Sequence, residues 1–267
     1  MLRLRVITGA VGVPLIGLAI WFGAPWFSIL MAAAAVAGTL EFYRLGGLDK
    51  RDPLLYLGVL WALGLLLSPL YRSPGTLALA VTTGLVVSAL WTLCRRSREN
   101  ALRDWAWTVA GALYVGWMLS YWLDLRGLED GRNWVLLAIL TIFANDTGAF
   151  FIGRRFGRHK MAPRISPAKT WEGAVAGLVS AVVGALIVAL GLSRFLSFHL
   201  TLWQIPFVAL LISLFAQLGD LVESLLKRNM GAKESGTLLP GHGGILDRFD
   251  SLLLVGPVLY YFTTWIA

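Results

Sequence analysis

An all-helical protein threaded repeatedly through a membrane is the fold class that the sequence predicts, and three observations predict it. Hydrophobic residues make up 57% of the chain, charged ones only 14%, and the mean hydropathy is +0.71; a soluble domain carries roughly 25% charged residues to cover its surface. Apolar runs close to the ~20 residues that cross a ~30 Å hydrocarbon layer recur along the chain. The alternating pattern of a membrane barrel is absent, so the backbone groups in lipid must be satisfied within helices.

Taken in order, the runs predict about nine spans, near 6–22, 26–45, 54–71, 75–93, 105–123, 133–152, 171–191, 203–226 and 250–266. The first opens behind Arg3 and Arg5 as a signal peptide would, but Trp21, Phe22, Pro25 and Trp26 stand where a small-residue cleavage site belongs, so it is read as a retained span. Gly23-Ala24-Pro25 joins the first pair either as an exposed turn or as a re-entrant hairpin. All of the 23 Lys and Arg except Arg72, Arg126, Arg132 and Arg194 fall at the N-terminus or in the even-numbered loops. Basic residues collect in cytoplasmic loops, which predicts an odd number of spans, a cytoplasmic N-terminus and a C-terminus outside. One integral-membrane domain over 1–267 is expected, with 1–125 mainly scaffold helices and the catalytic region within 140–252.

The net charge of +8 fits basic loops on anionic lipid headgroups rather than nucleic acid, since no soluble basic domain is present to read a groove. Cys94 is the single cysteine, which excludes an intrachain disulfide and a cysteine metal cage; it is expected to be a small buried filler. The twelve Trp are expected mainly as interfacial anchors and packing, and His199 as a surface residue of an outer loop.

Polar residues at membrane depth concentrate after residue 140. Asp146 lies inside the apolar run near 133–152, and a carboxylate at membrane depth costs roughly 2.5–3.5 kcal/mol on insertion scales, so it must face the bundle interior, a partner or a metal. The loop Arg154-Arg155-Phe156-Gly157-Arg158-His159-Lys160 taken alone reads as an anchor on anionic lipid. After it, Ser166-Pro167-Ala168-Lys169-Thr170-Trp171-Glu172-Gly173 is expected to open the seventh helix, with Ser166 as N-cap and Pro167 in the first turn. Free N–H groups beside Lys169 would then form a phosphate site. In the eighth span Asp220, Glu223, Ser224 and Lys227 are spaced to share one helical face, with Gln217 one turn earlier. Asp247 and Asp250 point the same way if the last helix begins by Asp247. Between them and the eighth span, Pro240-Gly241-His242-Gly243-Gly244 lets backbone approach an anion closely.

By the order of spans, Asp146, Lys169, Glu172, Asp220, Glu223, His242, Asp247 and Asp250 all fall at the cytoplasmic face. Hard oxygen ligands without a cysteine cluster suit Mg²⁺, bound through a few carboxylates, waters and substrate phosphates. A transporter or channel also carries intramembrane acids, but it wants them near the midplane on broken helices in paired repeats, and no repeat is visible. Motifs for a serine nucleophile elbow, a zinc protease helix, a phosphate-binding P-loop and a dinucleotide fold are all absent.

Ser224, Lys227, Arg228, Lys233, Gly236, Pro240, His242, Gly243, Gly244, Asp247, Arg248 and Asp250 resemble, in type and spacing, the C-terminal signature of the phosphatidate cytidylyltransferases, or CDP-diacylglycerol synthases, of bacterial type. The likeness extends to Asn145-Asp146, to the Ser166–Gly173 segment and to Gln217-x-Gly-Asp220-Leu-x-Glu223-Ser224; Glu234 departs from it, standing where the family has aspartate. The resemblance implies a multi-pass enzyme of phospholipid biosynthesis in the bacterial cytoplasmic membrane, active face cytoplasmic, that converts CTP and phosphatidate into CDP-diacylglycerol and pyrophosphate. It implies Mg²⁺, with room for a second cation, and a homodimer. Asp220, Asp247, His242 and Lys227 are then the catalytic candidates; Lys169, Ser166, Arg228, Arg248, Lys233, Gly243 and Gly244 bind substrate; and Asp220 and Asp247, followed by Asp146 and Asp250, hold metal. Headgroup chemistry leaves open another lipid phosphate as acceptor, and Glu234 leaves open a member that has lost activity.

Overall fold

The structure, a computed structural model, describes residues 2–71, 73, 75–95, 99–196, 198, 200–238 and 243–265. Every predicted apolar run coincides with helix: α1 (Leu2–Phe22), α2 (Trp26–Leu45), α3 (Pro53–Leu67) with a 3₁₀ turn at Ser68–Tyr71, α4 (Thr76–Cys94), α5 (Ala101–Gly111) running through a π-helical stretch Ala112–Trp117 into α6 (Met118–Arg126), α7 (Gly131–Phe156), α8 (Trp171–Leu196), α9 (Gln204–Asn229) and α10 (Leu246–Trp265). Six segments are long and apolar enough to cross a membrane: Trp26–Leu45, Pro53–Tyr71, Thr76–Cys94, Gly131–Phe156, Trp171–Leu196 and Gln204–Asn229. The protein is a polytopic α-helical membrane protein. It is built from two compact units, Met1–Asp124 with Met230–Phe249, and Leu125–Asn229 with Asp250–Ala267.

In the first unit, α3 begins where the chain supplies a cap: Asp52 accepts a hydrogen bond from Leu54 N at 2.9 Å, and Pro53 takes the first helical position, where its missing N–H costs nothing. Arg95, just past α4, pairs with Asp52 and with Asp104 at 3.1 Å, tying the starts of α3 and α5 together. Trp61, Ala62, Leu65 and Ala112 form a buried apolar cluster, and a side chain at Gly116 would overlap the Ala62 backbone, so glycine lets the π-helical stretch lie directly on α3. Cys94 is exposed, not a buried filler. It is the last residue of a helix whose large side chains Leu79, Val86, Leu90 and Leu93 face outward.

In the second unit, α7 and α8 meet through small residues. Gly173, Gly177, Ala181, Ala185 and Ala189, one per turn of α8, are all buried, and a Cβ at Gly173 would stand 3.1 Å from Gly153 Cα on α7. The Gly173-x-x-x-Gly177 spacing therefore brings two helices of one chain together. Trp134 packs edge-on against Phe198 and Phe262, with ring centroids 5.1 and 5.9 Å away. α9 approaches α10 so closely at Gly219 that a Cβ there would run into the Asp250 carbonyl.

One departure from the expected helices lies between α7 and α8. Ser166 does not cap a helix: Ser166–Thr170 forms strand β2, antiparallel to β1 (Lys160–Ala162), with Lys160 opposite Thr170 and Ala162 opposite Ser166. A two-stranded ribbon has only edges, which is where a proline such as Pro167 is tolerated. The helix starts at Trp171, and its cap is Thr170, whose Oγ1 accepts a hydrogen bond from Gly173 N at 3.2 Å. Glu172, in the first turn, accepts from Arg158 N at 3.1 Å and His159 N at 3.2 Å and shares a 2.6 Å hydrogen bond with His159 Nδ1, which pins the basic loop to the helix start.

Candidate active site

The second unit gathers most of the predicted polar residues. Asn145 sits on α7 one residue before Asp146, 1% exposed, and both ends of its amide are engaged: Oδ1 accepts from Ser213 Oγ at 2.6 Å and from Gln217 Nε2 at 3.1 Å, and Nδ2 donates to Asp146 Oδ1 at 2.9 Å. Gln217 also donates to the Ala174 carbonyl at 3.2 Å, so α7, α8 and α9 are linked by one buried network that sets the direction of Asp146. Asp220, Glu223, Ser224 and Lys227 do share a face of α9. Ser224 Oγ donates to Asp220 Oδ1 at 3.3 Å, and Lys227 Nζ pairs with the fully buried Glu223 at 2.8 Å. From strand β2, Lys169 Nζ reaches Asp220 Oδ2 at 2.6 Å. Asp250 and Asp146 both lie within electrostatic reach of Asp220 and of each other.

The chemistry of the donors decides what this cluster can hold. Four carboxylates, Asp146, Asp220, Glu223 and Asp250, lie about Lys169 and Lys227. Among the described residues, no three His, Cys, Asp or Glu side chains already converge as a ligand set. Mg²⁺ needs no such cage, since it binds through one or two carboxylates and completes its sphere with water and substrate phosphate. Carboxylate oxygens without sulfur are the donor set that suits a hard divalent cation.

The first unit holds the other predicted motif. Asp247 is the second residue of α10, which begins at Leu246. Its Oδ2 accepts from Ser235 N, Ser235 Oγ and Gly244 N, each at 2.9 Å, drawing the loop after α9 onto the start of α10. Gly243 lies in the left-handed region at φ 79°, and a Cβ there would stand 2.9 Å from Asp247 Oδ2, so this turn requires glycine.

The remaining candidates divide. Ser166 is half-buried on β2, and Lys233 and Arg248 are exposed. Arg228 donates from Nε to the Ile165 carbonyl at 3.3 Å, which ties the end of α9 to the β hairpin. His242, Pro240 and His199 lie outside the described residues. Sequence reasoning missed Ser213 and Glu41. Ser213 is a lone hydroxyl in an apolar run and carries no signal without its partner. Glu41, 3% exposed in α2, does carry one: it is an acid inside an apolar span, the same feature that singled out Asp146. Its Oε2 accepts from Leu246 N at 2.9 Å and from Ser235 Oγ at 3.2 Å.

Comparison with known proteins bears on what these residues serve. The model of the cytidylyltransferase family matches residues 3–266. The chain is 40% identical over 207 residues to a phosphatidate cytidylyltransferase of Staphylococcus saprophyticus subsp. saprophyticus, covering 76% of this chain and 77% of that one. It is 38% identical over 236 residues to a phosphatidate cytidylyltransferase of Staphylococcus aureus, covering 86% and 88%. A match that runs through the helices carrying Asn145, Asp220 and Asp247, and through nearly all the rest of the chain, shows that the protein belongs to the cytidylyltransferase family.

Proposed function

We propose that the protein transfers the cytidylyl group of CTP to phosphatidate, forming CDP-diacylglycerol and pyrophosphate for phospholipid synthesis. Membership of the family and relatives that carry this name support the reaction. The observation that carries it into this chain is the gathering of Asp146, Asp220 and Asp250, with Lys169 in contact with Asp220, inside an otherwise apolar helical protein.

A phosphatidate oxygen attacks the α-phosphorus of CTP, the bond from that phosphorus to the bridging oxygen breaks, and pyrophosphate leaves with the electron pair. The attacking phosphate monoester, with a second pKa of about 6, is already mostly a dianion at neutral pH, so no protein base is required. Bound Mg²⁺ would neutralise phosphate charge and supply Lewis-acid activation. Asp220, with Asp146 or Asp250 as a second carboxylate, is proposed to hold it within the second unit, and Asp247 is proposed as a metal-binding carboxylate of the first unit. The chain's own part is mostly positioning. The Asn145–Ser213–Gln217 network aims Asp146, Thr170 caps α8 beside Lys169, and Lys169 exchanges its contact with Asp220 for one with phosphate oxygens. Fixed groups of this kind act on developing charge without having to reorganise during the reaction.

The same reading places nine spans in a bacterial cytoplasmic membrane, with the N-terminus and the active face on the cytoplasmic side, where CTP is found, and with the lipid arriving sideways between helices. Purified protein given CTP labelled at the α-phosphate and phosphatidate is expected to yield labelled CDP-diacylglycerol and unlabelled pyrophosphate with Mg²⁺, and neither after chelation by EDTA. Asp247→Asn is expected to abolish transfer while still inserting in the membrane. Full synthesis with EDTA would remove the metal assignment, and full synthesis by the Asn variant would remove that of Asp247.

A further inference from the structure

We propose that Glu41 is a positioning residue for the transfer reaction, fixing the carboxylate of Asp247 through Ser235 and the start of α10; this rests on the reading of Asp247 given above. Glu41 is a charged residue almost completely buried in an apolar helix, a place where an uncharged residue would be easier to keep. Its Oε1 has no hydrogen-bond partner among the described residues, and its described contacts are made by Oε2.

Both donors to Oε2 belong to the segment that carries Asp247. Leu246 N, at 2.9 Å, is a first-turn amide of α10 with no acceptor inside its own helix, and the preceding residue, Ile245, has no side-chain oxygen to cap it. Glu41 thus caps α10 from another helix, with a negative charge at the positive end of the helix dipole. Ser235 Oγ stands between the two carboxylates, 3.2 Å from Glu41 Oε2 and 2.9 Å from Asp247 Oδ2, and accepts from Asp247 N at 3.3 Å. Its single proton serves one carboxylate at a time, so the three groups move as a set. The loop closes tightly around Glu41: a methyl group at Gly236 or at Gly244 would overlap the Glu41 carboxylate. Glu41 contributes nothing to the reacting atoms directly. It determines where Ser235 and the first turn of α10 lie, and they determine where Asp247 points.

Steady-state kinetics of four variants in detergent, with thermal unfolding followed alongside, test this. Glu41→Gln keeps an acceptor oxygen and is expected to retain kcat within about 3-fold. Glu41→Leu keeps the volume without the acceptor, and kcat is expected to fall more than 10-fold while KM for both substrates stays within about 3-fold, with the unfolding temperature lowered only by the lost cap. Ser235→Ala breaks the same link from the loop side and is expected to fall similarly; combining it with Glu41→Leu should cost no more than the worse single change. Wild-type kcat in Glu41→Leu or in Ser235→Ala overturns the proposal, as do independent effects that multiply in the double variant. If Glu41→Leu is not recovered folded, Ser235→Ala alone carries the test, and an unchanged kcat refutes it. Asp247→Asn separates the two levels: an active Asn variant removes the role of Asp247 itself, whereas an inactive one beside a fully active Glu41→Leu removes only the role of Glu41.

Discussion

Lys169 and Asp220, 2.6 Å apart, are the clearest instance of two residues whose roles were legible separately and whose pairing was not. A lysine before a helix start suggests phosphate, and an acid on a polar helical face suggests metal. Their contact means that each compensates the other's charge. Lys169→Ala removes the proposed phosphate contact, worth about 1.5–3 kcal/mol for a charged hydrogen bond, and takes Lys169 away from Asp220, so kcat/KM for CTP is expected to drop about 10- to 100-fold. Lys169→Arg keeps the charge but replaces a compact ammonium by a planar fork and is expected to recover only part of the loss. Unchanged kcat/KM in the Ala variant would detach Lys169 from substrate. Asp146 was readable for the same reason that Glu41 should have been, as a carboxylate amid apolar neighbours. Ser213 and the network around Asn145 were not, because a single hydroxyl or amide in a span has no distinguishing spacing until its partner, distant in sequence, is brought within hydrogen-bond reach.

At the level of elements, periodicity and length placed the helices because a backbone in lipid has few other ways to satisfy its hydrogen bonds. The segment between α7 and α8 was misread because Ser-Pro before an apolar run is a helix start in isolation, and only the pairing of Lys160 with Thr170 and of Ala162 with Ser166 converts it into a strand. The contact of α7 with α8 makes a prediction of its own. A Cβ at Gly177 would stand 2.7 Å from Asn145 Oδ1 and 3.2 Å from Ala149 Cβ, so Gly177→Ala must push aside the residue that orients Asp146. Overpacking of this kind costs about 1–3 kcal/mol, and the variant is expected to unfold at lower temperature in detergent and to lose activity. Gly191→Ala, on the same helix with nothing within 4 Å of its added Cβ, is expected to be neutral or slightly stabilising, since glycine is the poorer helix former by about 1 kcal/mol. Equal behaviour of the two variants would show that the small-residue contact does not support the site.

For the whole molecule, the proposed orientation has a direct test in the lone cysteine. Cys94 is exposed at the end of α4, and in the proposed orientation the following loop is cytoplasmic. A membrane-impermeant maleimide is therefore expected to label the native protein in inside-out vesicles and to leave it unlabelled in intact spheroplasts; labelling in spheroplasts would reverse the orientation. The sequence by itself determined that this is a membrane protein of helices, where those helices lie, and which family it resembles, because the hydrophobic effect and backbone hydrogen bonding act on local stretches of chain. Tertiary structure alone decided that Asn145 aims Asp146, that Lys169 rests on Asp220, and that Glu41 takes hold of Ser235 and Leu246, residues some two hundred positions away. A polar side chain in a membrane protein is defined by the partner that compensates it, and which partner that is depends on how the helices pack.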